Sequence, residues 1–306
     1  MSFESISRSV LLTMAKSKFL KKALTKNGLK FGADRFVAGL DVETTIKAVQ
    51  ELNKRGILAT MDQLGEGITK PEEARKATKG CIEILEGINK SGVKANLSLK
   101  LTQLGLELSK ELCMENMQKI IDVAKKYDIF VRIDMEDSPF CDVTLEITKY
   151  FKAQHDKVGT VLQSCLYRAI DDMEAVEKQN MNIRLVKGAY KESKEVAFPD
   201  KKDVDENFKK MIRQHLDSGC YLAVATHDEV LCEYTLNYVK EKNIPKEQFE
   251  IQFLYGIRQD LHKKYSAAGY TLRLYVPFGH DWYPYNMRRL AERPANVWFV
   301  LKNLFR

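Results

Sequence analysis

Aromatic and guanidinium side chains are concentrated near the C-terminal end of the chain, in the segment HDWYPYNMRRLAERPANVWF (280–299). The adjacent Arg288 and Arg289 follow Tyr285 by three and four residues, so one face of a helix can present a ring and cations together. A guanidinium fork suits a planar carboxylate, and a group of arginines also suits a polyanion. The segment therefore predicts either a site for one small carboxylate or a basic surface for nucleic acid.

The distribution of charge helps to separate these two alternatives. The chain has 306 residues and a formal net charge of +7. Residues 1–30 alone carry a net charge of +6, which leaves +1 for residues 31–306. Because nucleic-acid binding usually needs an extended basic surface, we expect no nucleic-acid partner. The basic arm could contact an anionic membrane surface, or it could pack on the body of the protein with its lysines in solvent.

Composition also bounds the class of protein. No stretch approaches the roughly 20 apolar residues that span a bilayer, and the N-terminal region lacks a secretory pattern. Six cysteines are dispersed without a CxxC pair, which is typical of reduced thiols, and nothing indicates a metal site. We therefore expect a cytoplasmic protein, with peripheral contact at the inner face of the cytoplasmic membrane as an option.

Four charged residues interrupt or end otherwise apolar runs: Lys100, Asp134, Arg184 and Lys187. A buried charge costs several kcal/mol (a rough value) unless it is paired or bound to a ligand. Any one of them could belong to a structural ion pair, but together they predict a polar pocket. A strand-borne lysine could also serve as a Schiff-base nucleophile, so a lyase or aldolase remains an alternative.

The elements that must position these residues alternate between short β-branched runs and longer segments of helical period. Eight runs have strand character: 57–62, 93–100, 129–135, 158–166, 182–189, 221–227, 249–256 and 271–279. Alternating strands and helices favour a parallel sheet, and eight units without a linker predict one (β/α)8 barrel. A doubly wound sheet is disfavoured because MDQLGEG follows the first run, where such a fold usually has a glycine-rich GxGxxG turn. We place the barrel at residues 33–306 and a basic helical arm at residues 1–32.

In a barrel, ligand-facing groups lie at the C-terminal ends of the strands. The sequence places these side chains there: Glu66, Lys100, Asp134, Gln163, Lys187, Tyr190, Thr226, His227, Tyr255 and Tyr275. The turn RLVKGAY (184–190) adds Gly188 and Ala189, whose small side chains let the backbone approach a large ligand closely.

Ten motifs occur in the same order as in proline dehydrogenases, and the chain resembles that family from about residue 33 to 300. They are RFVAG (35–39), MDQLGE (61–66), LSLK (97–100), VRIDME (131–136), VLQ (161–163), RLVKGAY (184–190), ATHD (225–228), FEIQFLYG (249–256), LRLYVPFG (272–279) and YPYNMRRLAERPANV (283–297). The resemblance is to the monofunctional bacterial branch more than to the large bifunctional proteins. It implies a distorted (β/α)8 barrel with FAD at its C-terminal mouth and a C-terminal helix over that mouth. It also implies oxidation of L-proline to 1-pyrroline-5-carboxylate, with electrons passing to a membrane quinone.

By matching position, the resemblance implies a role for each candidate site residue. Lys100, Arg288 and Arg289 would hold the proline carboxylate, and Leu254, Tyr275 and Tyr285 would wall the ring. Asp134 would orient or neutralise a cation, and Glu66 would pair with Arg288 as a gate. The residues expected to contact FAD are Asp134, Met135, Gln163, Arg184, Val186, Lys187, Gly188, Ala189, Tyr190, Thr226, His227 and Asp228. Lys191 and Asp228 differ from the aromatic residue and the Asn that larger relatives tend to carry, which bears on the contacts of the nucleotide tail.

Overall fold

Eight parallel strands close into a barrel in chain order, and the last strand pairs with the first. The structure, a computed structural model, describes residues 36–65, 67–283 and 285–286. Among the described residues, a helix follows each of the first seven strands, and one more helix precedes the first strand. This is the (β/α)8 architecture that the alternating pattern predicts, so the predicted fold class is confirmed.

The strands are short and the helices are longer. The strands are β1 (Leu58–Gln63), β2 (Ala95–Leu99), β3 (Val131–Ile133), β4 (Val158–Gln163), β5 (Asn182–Val186), β6 (Leu222–Ala225), β7 (Phe249–Leu254) and β8 (Leu272–Phe278). The helices are α1 (Val42–Lys54), α2 (Pro71–Ser91), α3 (Lys110–Tyr127), α4 (Cys141–Lys152), α5 (Ala169–Glu177), α6 (Lys201–Asp217), α7 (Glu229–Glu241) and α8 (Gln259–Ala267). All eight predicted strands are present, but the predicted runs 158–166 and 182–189 are too long at their C-terminal ends. Residues 187–190 consequently lie in a loop.

Local sequence explains where the helices begin and end. Helix α2 begins at Pro71, whose fixed φ suits the first helical position, and ends before Gly92, which adopts a left-handed φ of 67°. Helix α7 begins after Asp228, whose side chain accepts a hydrogen bond from the backbone N–H of Val230. These end signals keep the helices short enough to return the chain to the next strand.

The two faces of the strands have different chemistry, because successive side chains point to opposite sides. One face packs apolar residues against the helices and forms a continuous core, with Met61, Leu97 and Val224 fully buried. The other face lines the barrel interior and carries polar side chains. They are Thr60, Asp62, Asn96, Ser98, Arg132, Asp134, Arg184, Glu250, Gln252, Arg273 and Tyr275. The interior is thus a network of polar groups rather than a second apolar core.

Both ends of the chain lie outside the described residues, and so do the predicted basic arm and most of the predicted C-terminal helix. Trp282, Tyr283, Tyr285 and Asn286 are helical, which is the described start of that C-terminal segment. Among the described residues, no helix is long and apolar enough to cross a membrane.

Candidate active site

The C-terminal mouth of the barrel contains a cluster of four ionisable side chains centred on Lys100. The Lys100 ammonium lies 3.1 Å from Oδ2 of Asp62, 3.5 Å from Oδ2 of Asp134 and 3.3 Å from the Tyr275 hydroxyl. The Tyr275 hydroxyl also donates to Asp62 and lies 3.3 Å from Oδ2 of Asp134. One ammonium is therefore held by two carboxylates and one phenol.

Barrel closure brings this cluster together. Asp62 is in β1, Lys100 and Asp134 directly follow β2 and β3, and Tyr275 lies in β8. The pairing of β1 with β8 sets Thr60 beside Tyr275, so the phenol comes from the strand that completes the barrel. The sequence places Tyr275 at a strand end, and this is wrong: it is the fourth residue of β8, and its long side chain reaches the mouth from there.

The environments of the two carboxylates push their pKa values apart. Burial raises the pKa of Asp62, and Lys100 offsets this effect only in part. Burial opposes ionisation of Asp134 as well, but Arg184 and Lys100 outweigh it and lower its pKa. Oδ1 of Asp62 is buried and has no hydrogen-bond partner among the described residues. Asp134 is thus the fixed anion of the pair, and Asp62 is the more easily protonated one.

The same surroundings keep Lys100 and Tyr275 protonated. Burial disfavours the Lys100 ammonium, yet the neighbouring Asp62, Tyr275 and Asp134 raise its pKa well above the ordinary value. Burial raises the pKa of Tyr275, and Asp62 raises it further, so the phenol stays neutral. A lysine nucleophile needs a lowered pKa, so this environment disfavours Schiff-base chemistry at Lys100. Because Asp134 is shared with Arg184 and burial favours the neutral form of Asp62, the charged Lys100 ammonium keeps positive charge with which to bind an anion.

A second layer of polar groups lies beneath the cluster and supports it. Arg184 in β5 contacts Oδ1 of Asp134 at 2.7 Å and donates to Oε1 of Gln252 at 2.7 Å. Its guanidinium lies 5.3 Å from the centre of the Tyr275 ring. Ser98 donates to Asp134 Oδ1 at 2.7 Å. Asp134 therefore contacts two cations, Lys100 through one oxygen and Arg184 through the other, which fixes its orientation.

The end of β5 carries a separate group of charges. The Lys187 ammonium lies 2.5 Å from Asp205 Oδ1 and 2.8 Å from Asp228 Oδ2. The next residue, Gly188, has a φ of 124°, and a Cβ there would lie 2.3 Å from Sγ of Cys165. Only glycine fits this turn without strain. Gly188 and the two residues after it, Ala189 and Tyr190, are exposed.

The comparisons with known proteins agree with this geometry. The family described as Proline dehydrogenase matches residues 45–302. The proline dehydrogenase 1 of Bacillus subtilis (strain 168) is 46% identical over 299 residues, covering 98% of this chain and 99% of the relative. This chain belongs to the proline dehydrogenase family. The proline dehydrogenase of Deinococcus radiodurans is 41% identical over 310 residues and covers 99% of both chains. The predicted likeness to monofunctional bacterial proline dehydrogenases is confirmed, and the chain is an oxidoreductase of this family.

A solved structure supports the fold independently. Proline utilization A from Bdellovibrio bacteriovorus, inactivated by N-propargylglycine, aligns with a TM-score of 0.81 at 23% identity. The match covers 89% of this chain and 33% of that one, so the chain spans about a third of that protein's length. At this identity the likeness shows the barrel, not its ligands.

The structure brings some of the residues expected in a proline dehydrogenase site together and separates others. Lys100, Asp134, Arg184 and Tyr275 form one network, whereas Lys187 and Asp228 form another. The further predicted residues differ in burial: Met135, Gln163, Thr226 and Tyr285 are buried, Val186, Leu254 and His227 are half-buried, and Gly188, Ala189 and Tyr190 are exposed. Glu66, Arg288 and Arg289 lie outside the described residues, so their predicted roles stay predictions.

Individual contacts fix several of these further residues. Gln163 donates from Nε2 to the backbone carbonyl of Glu136 at 2.8 Å. The His227 ring stacks on Phe253, with the ring centres 5.8 Å apart. Tyr190, 39% exposed, lies close enough to the central cluster that Glu136 and Asp134 add to the effect of burial, which raises its pKa.

Sequence reasoning missed Asp62, the most buried carboxylate of the site. Its side chain is 1% exposed and contacts both Lys100 and Tyr275. A signal was present: in LATMDQ the polar Thr60 and Asp62 alternate with the apolar Ala59 and Met61, which is the pattern of a strand with one polar face. Asp205 was also missed, because it lies in α6 and no strand pattern marks it.

Proposed function

We propose that this member of the proline dehydrogenase family oxidises L-proline to 1-pyrroline-5-carboxylate with FAD as its cofactor. The observation that carries the proposal is the Lys100 ammonium, which is kept charged at the barrel mouth beside the Tyr275 phenol. An amino-acid substrate presents a carboxylate to such a cation, and two further arginines, Arg288 and Arg289, would complete a desolvated clamp. Leu254 and Tyr285 would then wall the pyrrolidine ring.

The residues at the mouth fit FAD by their chemistry. FAD brings a flat aromatic ring system and a doubly charged pyrophosphate, and the mouth offers the cations Arg184 and Lys187. Gly188 and Ala189 are exposed and carry almost no side chain, which suits close approach of a large ligand to the backbone. Arg184 would lie along the flavin, because it contacts the Lys100 cluster through Asp134, and Lys187, in a separate group of charges, would face the nucleotide tail. Asp134, Met135, Gln163, Val186, Ala189, Tyr190, Thr226, His227 and Asp228 are the remaining proposed contacts.

The side chains of this protein would bind and orient the substrate and keep protons in place during the reaction. When bound, FAD would supply the two-electron oxidant for the reaction, by hydride transfer from proline to the flavin. The Lys100 ammonium and the two arginines hold the carboxylate, and the neutral Tyr275 phenol packs against the ring. The substrate nitrogen would first lose a proton to water, and its free lone pair then forms the C=N bond as the hydride leaves carbon. Asp134 keeps Lys100 and Arg184 in place throughout.

An absorbance spectrum of the purified protein tests this proposal. We expect a flavin band that anaerobic L-proline bleaches, and no bleaching by pyrrolidine, which has the ring but lacks the carboxylate. Absence of a flavin band, or a band that proline leaves unchanged, would overturn the proposal. Treatment with borohydride in the presence of a carbonyl compound separates it from a Schiff-base enzyme, which would be trapped covalently.

We further propose that a membrane quinone accepts the electrons and that the protein is cytoplasmic, with peripheral contact at the inner face of the membrane. The support is the charge of +6 on residues 1–30, which would attract an anionic surface. Deletion of these residues should reduce co-sedimentation with anionic liposomes. Unchanged co-sedimentation would show that the arm does not make this contact. No nucleic-acid partner is proposed.

A further inference from the structure

Four charged side chains, Lys187, Asp205, Asp228 and Lys201, form an alternating group at the barrel mouth, which we call the charge quartet. The Lys187 ammonium contacts Asp205 at 2.5 Å and Asp228 at 2.8 Å. Lys201 also contacts both aspartates, at 3.4 Å from Asp228 and closer to Asp205. Each aspartate thus bridges two lysines, and the four charges cancel.

The quartet is built from elements that meet only at the mouth. Lys187 follows β5, Lys201 and Asp205 lie in the first turns of α6, and Asp228 precedes α7. The four side chains are between 19% and 72% exposed, so solvent and a ligand can reach them. Three of them, Lys201, Asp205 and Asp228, line a groove of about 440 Å³ between α6 and the start of α7.

The two oxygens of Asp228 have different partners. Oδ1 accepts the backbone N–H of Val230 at 3.2 Å and caps α7, whereas Oδ2 contacts Lys187 and Lys201. An asparagine can accept the same capping hydrogen bond without a negative charge. Asp228→Asn therefore removes the charge and retains the helix cap.

We propose that Asp228 and Asp205 limit the affinity of this protein for FAD by competing with the FAD pyrophosphate for the Lys187 ammonium. The inference rests on the proposed function, in which Lys187 faces the nucleotide half of FAD. A lysine with two carboxylates within 3 Å has little net charge to offer a phosphate, and the same carboxylates repel it. Removal of one carboxylate leaves Lys187 paired with the other aspartate and gives the quartet a net positive charge. The quartet thus determines how firmly the protein holds its cofactor.

The test measures the dissociation constant of FAD from the holoenzyme by dialysis against decreasing FAD concentrations. Asp228→Asn should bind FAD about fivefold more tightly than the wild type at low salt, the effect of removing one partly exposed charge near a dianion. The difference should shrink at high salt, because mobile ions screen the charges. Asp205→Asn should change FAD affinity in the same direction. Riboflavin has no phosphate. After removal of FAD, Asp228→Asn and the wild type should therefore bind riboflavin with the same affinity.

A matched control lies one residue away. Glu229→Gln removes a charge from the first turn of α7, but Glu229 pairs with Arg258 and Lys264 and not with Lys187, so FAD affinity should not change. Unchanged or weaker FAD binding by Asp228→Asn, with proline still bleaching the wild type, overturns this inference and leaves the proposed function standing. A wild type that holds no flavin overturns both.

Discussion

The buried contact between Asp134 and Arg184 should be the most consequential ion pair of the site. The guanidinium is 2.7 Å from Oδ1, and the two side chains are 7% and 11% exposed. Two charges about 4 Å apart attract by about 4 kcal/mol at an effective dielectric constant of about 20. Removal of one partner from a buried pair typically costs about 3–5 kcal/mol, because the other charge stays buried without compensation. We expect Asp134→Ala to lose that much stability.

The assay is urea-induced unfolding followed by circular dichroism, at saturating FAD and without proline. Glu229→Gln is the matched control, because it removes a carboxylate that also contacts two cations but lies at the surface. The stability lost in this variant should be much smaller. The double variant Asp134→Ala, Arg184→Met removes both charges. It should be more stable than the sum of the single losses implies, by about 2 kcal/mol or more. A loss in Asp134→Ala no larger than in the control would refute the reasoning.

Three further changes test other parts of the structure. Asp62→Asn removes the nearest carboxylate from Lys100, so the alkaline limb of the pH profile of kcat/KM for proline should move to lower pH; an unmoved limb contradicts this pairing. Gly188→Ala should destabilise the fold by about 1–3 kcal/mol in urea unfolding and release flavin, whereas Gly67→Ala, with a φ of 72° but open space around it, should cost less and retain flavin. Burial lowers the pKa of His262 to about 4. At a pH between about 4 and 6.5 the folded protein therefore binds fewer protons at this residue than the unfolded chain does. About 3 kcal/mol of stability should be lost as the pH falls through this range. His262→Leu should remove that loss from the pH dependence of unfolding, and an equally steep decline in the variant would contradict the assignment.

Much of the barrel follows from local pattern. The short β-branched runs and the helical segments between them have periods that a linear sequence displays directly, which is why all eight strands could be predicted. The ends of the strands were predicted less accurately, and Lys187 and Gly188 lie outside β5. The reason is that the turn depends on the positive φ of Gly188 and on the position of Cys165, which periodicity does not reveal. The polar strand ends at Lys100 and Asp134 were visible because charge is rare in buried strands.

The sequence did not show which of these charged side chains pair with one another. Lys100 is 38 residues from Asp62 and 175 from Tyr275, and Arg184 is 50 residues from Asp134. No local rule sets such distances, because each depends on which strands become neighbours and on the closure of β1 against β8. The same closure decides the protonation of the site, since burial and the nearest opposite charge exist only after the strands have met.

The sequence by itself therefore determined the kind of fold, the family and most of the residue types at the mouth of the barrel. The tertiary structure decided that Asp62 completes the Lys100 cluster, that Asp134 is shared between two cations, and that Lys187 is held by two aspartates. The physical reason is that periodicity is a property of neighbours along the chain, whereas ionisation and ion pairing are properties of neighbours in space.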